Sequence, residues 1–564
     1  MTSDYETDRF EGEVPVEYRC YFMDIATIPP PKIHPTSVLS PSAVFISYIW
    51  KVFTHTFFTL STNLLMPFNQ PLNFLAIVVL YPLSIVLILP IDILLRIVNF
   101  FKIGENIKFY DDDTWQQITR PGLSLQNIRK RGIRSLSEPP PTLEDLELNQ
   151  SSTYSPIFNL DMAETLLFLS AITYHRDPDP LYKAYEIIQE QGFDYEKVDL
   201  KEIQSLVDKS VEKISDYANE WDLNFQPLSE LGSLCNHFSG MFWPKDQRHN
   251  FIVVVFKGTT LTNFTEWLSD FLFTRVDARD FLFGELHSGF YSALFPDDNY
   301  TTSRVYGSYP SRRMVEAIRG KADEIAAFNR KNAGDEDFKP VNVWVTGHSL
   351  GAALAQVFYA RLVKTDDSLG PNAVLRDAFA FAAPSVGDND FFVGFNGTLN
   401  ERIYETRTLW RVIDDNDIVP TLPWRHPYPG IRQYLKKNDV LNYFHIGDSV
   451  KFFQYDRKPE SKRDILGNVK DVSSIRKKIS WKDLKHRQHR LRLRSCMPRS
   501  SKLREYVGFW IPRGGKNDYN IKMYGPLESL LPNFFRNHIP YRYFSAMERA
   551  RHYFENYDKN TEDM

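Results

Sequence analysis

The stretch from residue 341 to residue 355 constrains the fold of this chain more than any other part of the sequence. It begins with β-branched and aromatic residues that predict a strand, and it ends in an Ala-rich run of high helix propensity. Between them lies Gly347-His348-Ser349-Leu350-Gly351. A strand-to-helix turn this tight has room only for very small residues two positions before and two positions after its central residue. The stretch therefore predicts an α/β fold that presents Ser349 at a sharp bend, with a helix N-terminus behind it.

A serine at such a bend is a candidate nucleophile, but its hydroxyl is weak unless a base, itself oriented by a carboxylate, lies beside it. In folds with this turn, the acid follows the serine along the chain and the histidine follows the acid. Residues 406–413 have the pattern of a strand, and Asp414, Asp415 and Asp417 come directly after it. A carboxylate at a strand's C-terminal end is well placed to hold an imidazole, so all three aspartates qualify on position.

Two of the later histidines are candidates for the base. His445 precedes a strand-like run, and His538 lies near the chain end before a segment with a helical pattern. His486 and His489 belong to a highly basic stretch, which is a poor environment for a general base. His426 follows the acid too closely to stand on a separate loop. Position along the chain leaves His445 and His538 both open.

Five motifs together resemble the class 3 lipase family of fungi and plants in order and spacing. They are Val253–Thr259, Glu266–Asp270, His287–Phe290, Gly347–Gly351 and Asp417–Pro420. The resemblance covers roughly residues 160–564. It implies an α/β-hydrolase (class 3 lipase-like) domain that hydrolyses acylglycerol esters with no metal and no cofactor.

The resemblance also implies a role for individual residues. Asp417, in Asp-x-Val-Pro, corresponds to the family's acid, and His538 to its base, although Asn537 stands where the family has Asp. His445 corresponds to a histidine that is usually structural. The implied oxyanion hole uses Thr259 and Leu350, and Gly347, His348 and Gly351 complete the nucleophile elbow. The Leu- and Phe-rich residues 260–283 are expected to contain a lid that opens at a lipid surface.

A second constraint comes from the N-terminal region, where Lys51 is the one charged residue between Lys32 and Asp92. Two apolar arms, at 42–66 and 72–91, are separated by a Pro-containing break. The second arm just reaches the roughly 20 residues of a bilayer span, but prolines interrupt it. It follows that the arms form two membrane spans, a hairpin embedded from one side of a bilayer or oil droplet, or a buried helical pair. The absence of charge favours the two embedded arrangements.

These observations divide the chain into four parts. A polar segment at 1–41 precedes an apolar helical hairpin at 42–106 that is expected to associate with a membrane or lipid droplet. The triple Asp, Arg/Lys and Pro runs within 107–159 argue against a packed element and predict a linker. The catalytic domain follows at 160–564.

The catalytic domain contains a basic insert at about 457–504. Between 476 and 504 there are twelve Lys or Arg and one Asp. Such a segment binds anionic lipid headgroups at roughly 1 kcal/mol per charge. A solvated loop is the alternative. With an apolar hairpin in the same chain, a lipid surface is a simpler partner than nucleic acid.

The amino-acid composition limits the cellular locations and the classes of function that this chain could have. The net charge of −4 argues against a nucleic-acid binder, and three widely separated cysteines argue against a disulfide framework or zinc site. No secretory signal is visible, so a cytosol-facing, membrane-associated location on lipid droplet or endoplasmic reticulum is expected. The expected function is a serine lipase acting on triacylglycerol. Diacylglycerol lipase, phospholipase A1 and an inactive membrane scaffold are the alternatives, and protein partners do not follow from the sequence.

Overall fold

The computed structural model describes eleven longer stretches of the chain and several short ones. The longer stretches are 125–138, 158–191, 199–231, 237–246, 248–258, 274–296, 309–333, 339–401, 407–423, 442–453 and 537–562. The short ones lie between residues 49 and 82 and at 460–461 and 465–466. The basic insert at 476–504 and Thr259 therefore lie outside the described residues, as does most of the segment expected to contain the lid.

An eight-stranded mixed sheet organises the catalytic domain. Twelve strands are described: β1 (Phe158–Asn159), β2 (Leu223–Leu231), β3 (His237–Pro244), β4 (Phe251–Phe256), β5 (Arg275–Asp277), β6 (Glu285–His287), β7 (Val341–His348), β8 (Ala373–Phe381), β9 (Leu409–Asp414), β10 (Asp448–Phe452), β11 (Glu460–Ser461) and β12 (Ile465–Leu466). The sheet runs in the order β11-β10-β9-β8-β7-β4-β3-β2. β4, β7, β8, β9 and β10 are parallel, whereas β2, β3 and β11 are antiparallel to their neighbours. The carboxyl ends of the parallel strands therefore meet at one edge, where sites in such sheets form.

Alternating side chains of the central strands face two separate apolar cores. In β4, Ile252 and Val254 belong to one core, and Val253 and Val255 to the other. All six residues of β4 and all eight of β7 are buried, as expected for parallel strands covered on both faces. The α/β-hydrolase arrangement expected from the sequence is confirmed by this layered sheet.

Helices cover both faces of the sheet. The longer ones are α1 (Leu125–Ser137), α2 (Leu160–Ile172), α3 (Asp179–Glu190), α4 (Leu200–Ser210), α5 (Glu212–Glu220), α6 (Ser288–Leu294), α7 (Pro310–Ala333), α8 (Leu350–Lys364), α9 (Asn389–Glu401) and α10 (Pro540–Glu562). Side chains of α7 and α8 fill one core, and those of α1, α2 and α10 fill the other. α2 is buried along its whole length and starts at Leu160, where the sequence places the beginning of the domain.

The prediction that 107–159 is an unpacked linker is wrong for helix α1. Ile128 and Leu136 of α1 are 1% and 0% exposed, in the core that contains α2. The basic run Arg129–Arg131 favoured a solvated segment in the sequence analysis, but two of its arginines pair with carboxylates of the domain. Arg129 pairs with Asp222, and the guanidinium Nε of Arg131 lies 3.0 Å from Asp161 Oδ1. The basic run is thus part of an amphipathic helix rather than a solvated segment.

The apolar N-terminal region is described in short pieces. Helical turns lie at Met66–Asn69 and Pro71–Leu75 and continue as a π-helical turn at Ala76–Leu80. Most of the predicted hairpin lies outside the described residues. Within the described part of the chain, no helix has both the length and the hydropathy needed to cross a bilayer.

Candidate active site

Ser349 lies at the bend between β7 and α8. Its backbone has φ 59° and ψ −128°, a conformation that costs a non-glycine residue on the order of 1–3 kcal/mol. The surroundings hold it there, because the Ser349 amide donates to the Phe381 carbonyl at 2.9 Å and the Ser349 carbonyl accepts from the Ala352 amide at 3.0 Å. The sharp bend predicted from the sequence is present, with the serine at the carboxyl edge of the sheet.

The two glycines of the bend lie where a side chain has no room. A Cβ atom on Gly347 would meet the backbone of Gly351, at 2.5 Å from its carbonyl carbon. A Cβ atom on Gly351 would meet the Phe256 carbonyl oxygen and lie 2.8 Å from the Gly258 nitrogen. Gly351 therefore allows α8 to approach the end of β4, from which the chain runs on to Thr259.

The structure brings Ser349, His538 and Asp417 together in one line of hydrogen bonds. The Ser349 Oγ lies 2.8 Å from His538 Nε2, and His538 Nδ1 lies 2.9 Å from Asp417 Oδ2. Because a carboxylate accepts, the proton of the imidazole resides on Nδ1, and Nε2 is free to accept from the serine hydroxyl. All three residues are buried, at 3–7% exposure. The arrangement is that of a nucleophile, a general base and an orienting acid.

The three aspartates after β9 have different partners. Asp417 faces His538, Asp415 forms an ion pair with Lys451, and Asp414 accepts from the amide of Asn416 at 3.0 Å. The partners leave Asp417 as the acid candidate, which residue position alone did not decide.

The other histidine candidate has a different role. His445 Nε2 lies 2.8 Å from the Pro420 carbonyl oxygen and 3.1 Å from the Ser385 Oγ. Because the carbonyl can only accept, Nε2 carries the proton and donates. His445 therefore fastens the loop that carries Asp417.

Two further donors hold Asp417. The Tyr543 hydroxyl donates to Oδ2 at 2.6 Å, and the Val419 amide donates to Oδ1 at 2.9 Å. Burial, and then the negative charge of Asp417, raise the pKa of Tyr543 well above its usual range, so the phenol keeps its proton. The sequence analysis missed Tyr543. Its signal was its position in the first turn of α10, but Tyr541 lies in the same turn and the sequence does not separate the two.

His348 fixes the backbone of His538 rather than reacting itself. Its Nε2 donates to the His538 carbonyl oxygen at 2.9 Å, and its Nδ1 accepts from the Tyr174 hydroxyl at 2.9 Å. Burial, together with the neighbouring His538, lowers the pKa of His348 well below 6.5, so this imidazole is neutral. Tyr174, in the helical turn that follows α2, is the second positioning residue that sequence analysis missed, because it lies 174 positions from its partner.

The expected oxyanion hole is described in part. Leu350 is the first residue of α8, so its amide has no carbonyl partner within the helix and lies next to the serine. The second expected donor, Thr259, lies outside the described residues. The chain does approach the elbow just before it, since a Cβ atom on Gly258 would collide with the His348 carbonyl oxygen.

The region of the chain that contains Ser349 and Asp417 is similar to known proteins. Residues 253–426 match the family model for lipase (class 3). Among curated proteins, triacylglycerol lipase OBL1 of Ricinus communis is 26% identical over 294 residues, which are 47% of this chain and 51% of that protein. Phospholipase A1-IIgamma of Arabidopsis thaliana is 30% identical over 182 residues, 30% of this chain and 38% of that protein. The chain spans about half the length, or less, of these relatives.

Solved structures of fungal lipases are also similar to this chain. The Rhizomucor miehei lipase propeptide complex is 20% identical with a TM-score of 0.28, over 41% of this chain and 58% of that one. The lipase of Rhizopus microsporus var. chinensis is 18% identical with a TM-score of 0.29, over 58% of this chain and 83% of that one.

Proposed function

We propose that this chain, whose residues 253–426 match the family model for lipase (class 3), is a serine hydrolase that cleaves carboxylic esters of acylglycerols. The observation that carries the proposal is the line of hydrogen bonds from Ser349 through His538 to Asp417, with donor–acceptor distances of 2.8 and 2.9 Å. A nucleophile and base already within hydrogen-bond reach need no rearrangement to react.

The proposed reaction proceeds through an acyl-enzyme. His538 Nε2 takes the proton of the Ser349 hydroxyl as Oγ attacks the ester carbonyl carbon, and Asp417 stabilises the imidazolium that forms. The Leu350 amide, with the expected Thr259 donor, binds the oxyanion; loss of one such donor costs on the order of 100–1,000-fold in rate. His538 then protonates the leaving alkoxide, and the acyl-enzyme is hydrolysed by a water that His538 deprotonates.

The substrate class proposed is triacylglycerol, presented at a membrane or lipid-droplet surface that faces the cytosol. The support is a castor relative described as a triacylglycerol lipase, together with exposed apolar side chains in the N-terminal region. Trp50, Leu64 and Phe68 are 65%, 79% and 82% exposed. Exposure of large apolar side chains to water is unfavourable, and their burial in a lipid surface is favourable. The basic residues 476–504 would add attraction to anionic headgroups.

The activity is tested with a fluorescent fluorophosphonate probe on the full chain and on Ser349→Ala. We expect the wild type to be labelled and the variant not to be. Absence of labelling in both proteins, with the fold intact by circular dichroism, would support the inactive scaffold instead.

Substrate preference is measured by comparing hydrolysis of emulsified triacylglycerol with hydrolysis of phospholipid vesicles. A phospholipase A1 is the second candidate, because one relative described as such is 30% identical to this chain. Faster hydrolysis of the vesicles would favour it and contradict the triacylglycerol proposal.

Membrane attachment is tested separately by deleting 42–91 and following the protein in vesicle flotation. We expect the deletion to leave the protein at the bottom of the gradient while it still hydrolyses a soluble short-chain ester. Flotation equal to that of the intact chain would remove 42–91 as the anchor.

A further inference from the structure

A cavity of about 400 Å³ lies at the C-terminal end of α8, away from the catalytic serine. The lining residue Arg361 lies eleven positions after Leu350 along α8, which corresponds to roughly 17 Å of helix. The volume falls within the roughly 300–1,000 Å³ of small-molecule sites. The cavity is thus distinct from the place where Ser349 and His538 meet.

Three aromatic rings form an apolar wall of the cavity. Phe281 stacks on Phe295 with ring centroids 4.9 Å apart, and Tyr309 contacts the Phe281 ring edge-on at 5.1 Å. Val315 of α7 extends the apolar lining. A surface of this kind accepts a hydrocarbon chain.

The polar side of the cavity carries positive charge. The Arg361 guanidinium is half-buried, and burial lowers its pKa from the usual value. Its Nη1 donates to the Phe281 carbonyl oxygen at 3.2 Å, which holds the group at the cavity wall. Within the part of the chain that the structure describes, its other N–H groups make no hydrogen bond. Arg312 also lines the cavity, where its guanidinium pairs with Glu316 at 2.9 Å between Nε and Oε1.

The Ser368 hydroxyl supplies a second observation at the same place. Ser368 lines the cavity, and its side-chain oxygen is buried without a hydrogen-bond partner among the described residues. Buried polar atoms normally have partners, and one without a partner beside a cavity often marks a ligand position.

We propose that this cavity binds a long-chain fatty acid, with the hydrocarbon chain against Phe281, Phe295 and Tyr309 and the carboxylate at Arg361. An apolar wall with a guanidinium at one side matches an amphiphile with a single anionic head, and charge-assisted hydrogen bonds to a carboxylate are the strong kind. A fatty acid is also the product of the hydrolysis proposed above. That part of the inference rests on the proposed function, whereas binding itself does not.

The proposal is tested with a palmitate analogue that carries a photoreactive diazirine in its chain. The experiment uses the full chain carrying Ser349→Ala, so that the labelling does not depend on catalytic turnover. After irradiation, peptide mass spectrometry locates the label. We expect label on peptides that contain Phe281, Phe295 or Val315. Label confined to the apolar 42–91 region or to peptides around Ser349 would overturn the proposal.

Two variants and a control connect the label to the chemistry of the cavity. Arg361→Met removes the cation and is expected to weaken binding by about 10-fold or more, since hydrogen bonds to charged groups are among the strongest. Val315→Trp fills the cavity and is expected to abolish labelling even where Arg361→Met is poorly folded. Arg248→Met removes an exposed arginine paired with Asp246 and should leave labelling unchanged. Equal labelling in wild type, Arg361→Met and Val315→Trp would overturn the proposal.

Competition by unlabelled lipids identifies the head group. Palmitate should compete about 10-fold or more better than hexadecanol, which has the same chain without the charge. Equal competition by the alcohol would contradict the role of Arg361. Stronger competition by a palmitoyl lysophosphatidate than by palmitate would assign the site to a phosphate-headed lipid and overturn the fatty acid as its ligand.

Discussion

The substitution Asp417→Asn tests how the site sets the proton of its imidazole. Three donors reach the Asp417 carboxylate: His538 Nδ1 and the Tyr543 hydroxyl at Oδ2, and the Val419 amide at Oδ1. An asparagine has one oxygen and one NH2 group. With its oxygen towards His538, the NH2 group would face the Val419 N–H, donor against donor. With its NH2 group towards His538, all three neighbours are satisfied, because the oxygen accepts from Val419 and Tyr543 accepts through its hydroxyl oxygen.

The favoured orientation of the introduced asparagine places a donor against His538 Nδ1 and therefore moves the ring proton to Nε2. An imidazole with its proton on Nε2 cannot accept from the Ser349 hydroxyl 2.8 Å away. The comparable change in the triad of a serine protease, a different protein, costs about 10,000-fold in kcat. We expect Asp417→Asn to lose about 1,000- to 10,000-fold in kcat on a soluble short-chain p-nitrophenyl ester, with the fold retained.

Asp415→Asn is the matched control. It lies on the same loop and pairs with Lys451 rather than with an imidazole. We expect its kcat to stay within about twofold of wild type, since such partly exposed ion pairs contribute at most about 1 kcal/mol. An Asp417→Asn protein that keeps a tenth or more of the wild-type kcat, or an Asp415→Asn protein that loses as much as Asp417→Asn, would refute the reasoning.

Three further predictions concern the packing behind the site. Gly351→Ala drives a Cβ into the backbone of β4, so we expect about 1–3 kcal/mol less stability by urea unfolding and a lower kcat; unchanged values would contradict the close approach. Arg551→Met removes a cation that pairs with the buried carboxylates of Asp161 and Glu164, so it should lower the unfolding free energy by about 3–5 kcal/mol. An unchanged unfolding free energy would contradict the importance of these ion pairs. Burial raises the pKa of Asp377 from 3.8 to about 7, so the fold favours the protonated carboxyl. The resulting stabilisation is complete below pH 3.8, decreases as the pH rises, and is lost above pH 7. The total loss is about 4 kcal/mol of unfolding free energy. Unfolding free energies between pH 4 and 8 should therefore fall more for wild type than for Asp377→Asn, and parallel profiles would contradict the raised pKa.

The central part of the fold was predictable because its signals are local. The Val-rich β7, the glycines at 347 and 351 and the Ala-rich start of α8 each specify backbone geometry within a few residues. The order of serine, aspartate and histidine then limits the other members of the site. The structure brings together the three residues that this order and the family resemblance indicated.

The residues that hold the site in place were not predictable by the same means. Tyr174 and Tyr543 act through single hydroxyl groups whose partners are more than 100 residues away. The sequence around α1 predicts a linker because the carboxylates that pair with its arginines lie elsewhere in the chain, at residues 161 and 164 of α2 and at residue 222 after α5. In each case the missing information is a contact between distant parts of the chain.

The most direct test of the account is to find the acyl-enzyme. The full chain is mixed with excess p-nitrophenyl butyrate, quenched with acid within the first turnovers and digested for peptide mass spectrometry. We predict a butyryl group on Ser349, and none on that peptide in Ser349→Ala. Continued release of p-nitrophenol with no acyl group on Ser349, or with the acyl group on another residue, would contradict the central claim.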